Sequence, residues 1–358
     1  MIGIVGGYGA VGGAAARLLA GHGVRVGGRD AEAARRFVRD TLGGDGEACQ
    51  VDACDPAALA RFCRGCRVVV NCAGPSYLLL DRVARGAFAA GADYVDAAGD
   101  VPAYRPLART GTGGRVAVLS AGMLPGLTGL LPRHLAGLAE GGPLRLDVYT
   151  GGLDRLTPAA AGDVLLAGKG GDAADHGEPL ASWRDGGRVS RALAPAQDAE
   201  LPYFPGPVTA YPYLSAEAER VAHDLELGEA RCYTVVPGGE AVGGVAAAAS
   251  AADLARTAGL ELAGRTPYYV LLFQLSDARA TRTLVVRAAG SYALTAAVVA
   301  HAAAAVLAGE VPPGVHFADA VLDPARVLAG IAPVATVELT DAVPPIDLRA
   351  PAFEEGEL

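Results

Sequence analysis

Ile2-Gly3-Ile4-Val5-Gly6-Gly7-Tyr8-Gly9-Ala10-Val11-Gly12 opens the chain, and Gly13-Ala14-Ala15-Ala16-Arg17-Leu18-Leu19-Ala20 follows it. An apolar run gives way to glycines and then to small residues, which predicts a strand, a turn and a helix. Gly7, Gly9 and Gly12 have the spacing G-x-G-x-x-G. In that arrangement Gly7 makes a tight turn, Gly9 lets a pyrophosphate approach the backbone, and Gly12 lets the helix pack on its strand. The phosphates would rest on N–H groups at the positive end of the helix, with Tyr8, Ala10 and Val11 completing the loop. In a chain with 49 glycines among 358 residues, such spacing alone says little. Its place between a strand and a helix makes it a dinucleotide-binding signature.

Downstream, strand and helix signals keep alternating. Val24-Arg25-Val26, Cys49-Gln50-Val51, Arg67-Val68-Val69-Val70-Asn71, Tyr94-Val95-Asp96 and Val116-Ala117-Val118-Leu119 read as strands. Residues 31–42, 55–62 and 79–90 read as the helices between them. This pattern predicts an α/β fold with a doubly wound parallel sheet of Rossmann type over residues 1–125, with ligands at the carboxyl ends of its strands. Beyond residue 130 the texture changes. Residues 144–149, 231–236, 268–275 and 282–287 read as strands, 217–225 as a helix, and Asp185-Gly186-Gly187 as a turn. The reading is a second α+β domain over 126–290 with a mixed, largely antiparallel sheet. In the segment 291–358, an apolar helix over 292–307 is expected to return to the first domain, and the tail from Glu354 to fray.

Composition narrows the function. The chain is 51% hydrophobic and 19% charged, with enough apolar material for two cores. A net charge of −9 argues against a nucleic-acid partner. Five of the six cysteines lie within residues 49–72, and Cys63-x-x-Cys66 has no second pair, so neither zinc nor any other metal site is expected. The six histidines are likewise scattered, His176 and His301 among them. We read a cytoplasmic protein with reduced thiols, no leader segment and no membrane span. The charge-free stretch 288–309 is alanine-rich and lacks anchoring residues, which suits a buried helix.

The second strand ends in Val26-Gly27-Gly28-Arg29-Asp30. Gly28 stands where an NAD-preferring fold places its ribose-binding acid, and Arg29 follows it. A guanidinium there suits a 2′-phosphate, so NADP(H) is the expected cofactor. A one-residue shift of the strand end would instead make Asp30 the ribose acid. Cys72-Ala73-Gly74-Pro75 follows the fourth strand and is expected beside the nicotinamide ribose. Cys72 has no neighbouring histidine to make it a nucleophile and reads as a packed thiol.

Gly6 to Gly12, Gly28-Arg29, Val51-Asp52, Asn71-Cys72-Ala73-Gly74-Pro75, Tyr94-Val95-Asp96-Ala97-Ala98-Gly99-Asp100 and Gly122-Met123-Leu124-Pro125-Gly126 together resemble the saccharopine dehydrogenase-like NADP-binding family. Tyr292-Ala293-Leu294-Thr295-Ala296 and residues 309–317 extend the resemblance. It implies hydride chemistry in a cleft between the two domains, with Asp52 and Gly122 joining the cofactor site. It also implies reduction of an imine formed from an amine and an aldehyde. The chain departs from the family pattern at Ser76-Tyr77, where Phe is frequent, and at Asp100, where Glu is usual.

Within that reading, Tyr77 is a candidate donor of a proton or hydrogen bond beside the nicotinamide. Asp96 and Asp100 are candidates to orient a substrate ammonium, with loop ordering as their alternative. Arg155 is a candidate clamp for a substrate carboxylate. A Tyr-x-x-x-Lys dehydrogenase is excluded because Lys169, the single lysine, follows Leu165 at that spacing. Reduction of a C=C bond or a cyclic imine, and a silent NADP-binding regulator, stay open as alternatives. The expected partners are a small-molecule substrate and a second copy of the chain, paired through the second sheet.

Overall fold

The computed structural model describes residues 1–139, 141–142, 144–168, 177–238 and 250–348. Lys169, His176 and the tail from Glu354 lie outside them. The first sheet contains β1 (Ile2–Val5), β2 (Val24–Gly28), β3 (Glu47–Gln50), β4 (Val68–Asn71), β5 (Asp93–Asp96) and β6 (Val116–Leu119). All its pairings are parallel, in the order Gly314–Phe317, β6, β5, β4, β1, β2, β3. Strands β1, β4 and β6 are buried throughout, as a parallel sheet covered on both faces requires. The order reverses between β1 and β4, which opens a crevice at their carboxyl ends. Helices start where the sequence supplies caps: Asp30 before Ala31–Thr41, and Asp55 before Pro56–Cys63.

Three features differ from the sequence reading. The helix expected over 79–90 is broken into Ser76–Leu79 and Arg82–Ala89, with Leu80 at φ 51° between them. Val101–Thr110 is a helix despite Pro102 and Pro106; Pro102 falls in the first turn, where no N–H is needed. The short strand Gly314–Phe317 joins the first sheet beside β6, far along the chain from its partner.

Among the described residues, the second sheet has ten strands. Its central pair, Arg145–Leu153 and Glu229–Pro237, is parallel; the flanking pairings are antiparallel. The turn at 185–187 closes a hairpin, with Asp185 and Gly186 both at positive φ. The chain then returns to the first sheet through the helix Ser291–Leu307, which packs on the helix Ala10–Leu19 and on β4 and β5. Asp154 caps that helix, accepting from the Ser291 amide (2.6 Å) and hydroxyl (2.7 Å). The strand Ala335–Thr340 lies on the edge of the second sheet, so this C-terminal segment serves both sheets. Among the described residues, no helix is long and apolar enough to cross a membrane.

Candidate active site

At the first βα corner the glycines divide the work differently from the simple reading. The left-handed residue is Gly6, at φ 75°, and not Gly7. A Cβ on Gly7 would stand 2.7 Å from the Ile4 carbonyl oxygen, and one on Gly12 would strike the Gly6 carbonyl. Both positions therefore need glycine for close packing. Gly9 is different: a Cβ there would meet Gly6 oxygen at 3.1 Å and otherwise open space. No side chain caps the helix Ala10–Leu19, so the N–H groups of its first turn are left for an outside acceptor. An exposed glycine in front of an uncapped helix fits a pyrophosphate.

Tyr8 links this corner to the end of β2. Its ring occupies the space a side chain at Gly28 would fill, and its hydroxyl accepts from the Asp30 amide (3.0 Å). Asp30 Oδ1 accepts from the Glu32 (2.9 Å) and Ala33 (3.0 Å) amides, bonds that hold its carboxyl below the usual carboxylate range. Asp30 is thus the cap of the next helix. Arg29 beside it is exposed, and its guanidinium has no partner among the described residues. Asp52 ends the loop after β3, accepting from the Cys54 amide (2.8 Å).

After β4, Asn71 is buried and splits its amide between two loops. Its Oδ1 accepts from the Ala73 amide (3.1 Å), and its Nδ2 donates to Asp96 Oδ2 (3.1 Å). Gly74 and Pro75 touch the helix Pro158–Gly168 of the other sheet. Burial raises the Cys72 thiol far above the ordinary range, and the nearby Asp96 adds to it, so no thiolate nucleophile is present. Asp96 is turned toward its own loop. It is 2% exposed, and its oxygens accept from the Ala98 (2.9 Å) and Gly99 (2.8 Å) amides, Asn71 and the Tyr94 hydroxyl. Its role is to order the loop that ends in Asp100. Gly122 is likewise a packing residue, buried against the Ala97 carbonyl and Thr295.

Tyr77 and Asp100 do come together. The Tyr77 hydroxyl titrates above the usual range, through burial first and then the charges of Asp100, Tyr213 and Asp163. Tyr213 is raised by burial and by Asp100 in the same way. Asp100 itself is raised by burial, while Arg220, 3.6 Å away, works in the opposite direction. Asp100 Oδ1 is buried without a hydrogen-bond partner among the described residues. Asp163, from the helix Pro158–Gly168, accepts from the Ser76 amide (2.7 Å), the Ser76 hydroxyl (2.9 Å) and the Tyr77 amide (3.3 Å). It fixes the turn that carries Tyr77. Arg155 has no part in this cluster: its side chain is exposed, and its amide donates to Asp154 (2.7 Å).

Sequence reasoning missed Asp163, Tyr213 and Arg220, along with a buried support beneath them. Glu217 accepts from the Gly126 amide (2.7 Å) and pairs with the Thr128 hydroxyl. Asp319 is held by Arg133 (2.8 Å) and Arg220 (3.2 Å). Burial, then the charge of Asp319, pushes the Glu217 carboxyl up to about 8.

Residues 2–117 match the family described as Saccharopine dehydrogenase NADP binding domain. This places the N-terminal domain in the saccharopine dehydrogenase NADP-binding family. NADP(H) is its cofactor, and the chain is an NADP-dependent oxidoreductase. Among solved structures, the chain is similar to apo saccharopine dehydrogenase (L-Glu forming) from Saccharomyces cerevisiae. That match has 16% identity and a TM-score of 0.66, covering 95% of this chain and 98% of the other. At that identity the likeness establishes the fold, which is the saccharopine dehydrogenase fold over both sheets. A putative myo-inositol dehydrogenase from Sinorhizobium meliloti 1021 matches at 10% identity over 92% of this chain and 94% of its own, with a TM-score of 0.45. No curated protein matches the sequence.

Proposed function

We propose that the protein reduces a C=N bond, formed between an amine and an aldehyde, at the expense of NADPH. The observation that carries this reading is the gathering of Tyr77, Asp100 and Tyr213 at the end of the β4 loop. Bound NADPH supplies a hydride. An iminium carbon is already electrophilic, so the remaining tasks are placement and charge complementarity. Asp100, whose buried Oδ1 makes no hydrogen bond and has the Arg220 guanidinium 3.6 Å away, is the acid placed to face the cationic nitrogen of an iminium or ammonium group. Tyr77 keeps its proton at neutral pH and holds it at the phenol oxygen, where it hydrogen-bonds the substrate. Asp163 keeps Tyr77 in position across the crevice. The glycine corner, with Gly7, Gly9, Gly12 and Arg29, holds the pyrophosphate and the 2′-phosphate, and residues 72–75 line the nicotinamide side.

The reading also includes a homodimer through the second sheet. The edge strand Ala335–Thr340 supports it, because Val337 and Leu339 are exposed there. Sedimentation analysis distinguishes this from a monomer.

Oxidation of NADPH, followed by absorbance with pairs of amines and aldehydes, tests the chemistry. Turnover must require both partners. Turnover with a carbonyl or enone compound and no amine would favour C=C reduction. Cofactor binding with no turnover on any pair would favour a silent regulator. Tyr77→Phe is expected to lower kcat by about 10²-fold or more with NADPH affinity unchanged.

A further inference from the structure

We infer that Arg220 is a positioning residue: it holds a positive charge beside Asp100 without taking up the hydrogen-bonding capacity of Oδ1. Its part in a reaction rests on the reductase reading above, whereas its hold on Asp100 does not.

The guanidinium is fixed by residues from distant parts of the chain. Arg220 stands on the helix Ala216–Asp224, and Phe317 and Asp319 belong to the C-terminal return. The guanidinium lies 3.6 Å from the Phe317 centroid, and Tyr104 covers the other face of that ring with centroids 4.7 Å apart. Nη2 donates to Asp319 Oδ1 (3.2 Å), while Arg133 donates twice to Asp319 Oδ2 (3.0 and 2.8 Å). The Asp319 side chain is fully buried, so it cannot turn away without breaking both pairings. These restraints leave Nη1 3.6 Å from Asp100 Oδ1, beyond hydrogen-bond length but well within Coulombic reach.

Asp100 needs that charge. Its side chain is 11% exposed, and burial is the largest influence raising its carboxyl. Arg220 is the largest influence in the other direction, helped by the Val101 amide and opposed by Asp319. The remaining titratable groups that feel Asp100 are Tyr77, Tyr213 and Glu217, none of them a cation. An acid that is to attract an iminium or ammonium nitrogen must be ionised, and Arg220 favours that form. A full hydrogen bond from Arg220 would satisfy Oδ1 within the chain; at 3.6 Å the oxygen is left without a partner among the described residues.

The test follows the carbon-13 carboxyl signal of Asp100 against pH in the full-length protein with NADP added. The signal is identified by its absence from Asp100→Asn. Arg220→Gln should move its midpoint up by about one pH unit or more, and Arg220→Lys, which keeps the charge, should recover most of that shift. NADPH affinity equal to wild type checks that each variant is folded. Phe317→Leu keeps every charge and loosens the guanidinium's support; it should move the midpoint the same way by about half a unit, and it decides the matter if Arg220→Gln does not fold. An Asp100 midpoint unmoved in the folded variants would overturn the inference. With an amine and aldehyde pair that is turned over, the acid limb of kcat/KM should rise in step with the carboxyl midpoint; a limb that stays in place would remove Arg220 from the reaction and leave the reductase reading standing. A shifted midpoint in a protein that oxidises NADPH with no pair would uphold the hold on Asp100 and remove the reductase reading.

Discussion

Glu217→Gln should stabilise the protein, and increasingly so as pH rises. Glu217 is 1% exposed and sits across the gap left by Gly129 from Asp319. A Cβ on Gly129 would come 2.8 Å from Asp319 Cβ and 2.9 Å from Glu217 Oε1, so nothing larger separates the two acids. Arg133 and Arg220 are paired with Asp319, and burial, then the charge of Asp319, raises the Glu217 carboxyl from 4.5 to about 8. The sign follows from linkage. A folded-state pKa above the unfolded one gives stability that is complete below about pH 4.5 and is lost as pH rises through about 8. Each pH unit in that window removes up to about 1.4 kcal/mol. The ceiling over the whole window is roughly 5 kcal/mol, and relaxation around a buried acid reduces this to about 2–3 kcal/mol. Glutamine can keep the bond from the Gly126 amide and that with Thr128 without needing a proton. Urea denaturation at pH 5.5, 7 and 8.5 reads the difference between variant and wild type from the midpoint at constant slope. A stability difference that does not change with pH, or a variant less stable at pH 8.5, would refute the assignment.

Other perturbations have equally definite outcomes. Gly9→Ala should leave the thermal midpoint within a few degrees of wild type, since its φ is ordinary and the added Cβ meets a single atom, the Gly6 carbonyl oxygen at 3.1 Å. The same change should weaken NADPH binding by about 10²-fold, because the added methyl occupies the pyrophosphate's approach; unchanged affinity in a binding titration would place the phosphates elsewhere. Asp163→Ala removes three hydrogen bonds to Ser76 and Tyr77 and should cost about 1–3 kcal/mol in urea denaturation. It should also lower kcat by displacing Tyr77, and full activity would show that the turn needs no tether.

The sheet was legible where one local signal sufficed. β1, the glycine turn and the following helix lie within twenty residues, and β4 announces itself as a continuous apolar run. The helix Val101–Thr110 was hidden by its two prolines, although one of them occupies a first-turn position where proline costs little. Gly314–Phe317 was hidden because four residues cannot declare a partner that lies nearly two hundred positions earlier. The site divides the same way. Tyr77 and Asp100 follow strand ends and could be named from the fold's rule for ligands, whereas Asp163, Tyr213 and Arg220 reach them across the crevice from residues with no local pattern. For Asp96 the sequence left two roles open, because an acid at a strand end can serve a ligand or its own loop, and the four donors around it favour the loop.

The central claim is that the corner from Gly6 to Gly12, with Arg29, selects NADPH. Equilibrium titration of wild type and Arg29→Ala with NADPH and NADH tests it most directly. A charge-assisted contact to the 2′-phosphate contributes about 1.5–3 kcal/mol. The wild type should therefore bind NADPH roughly 10- to 100-fold more tightly than NADH, and the variant should lose that margin while keeping its NADH affinity. Equal or tighter binding of NADH that Arg29→Ala leaves untouched would contradict the account.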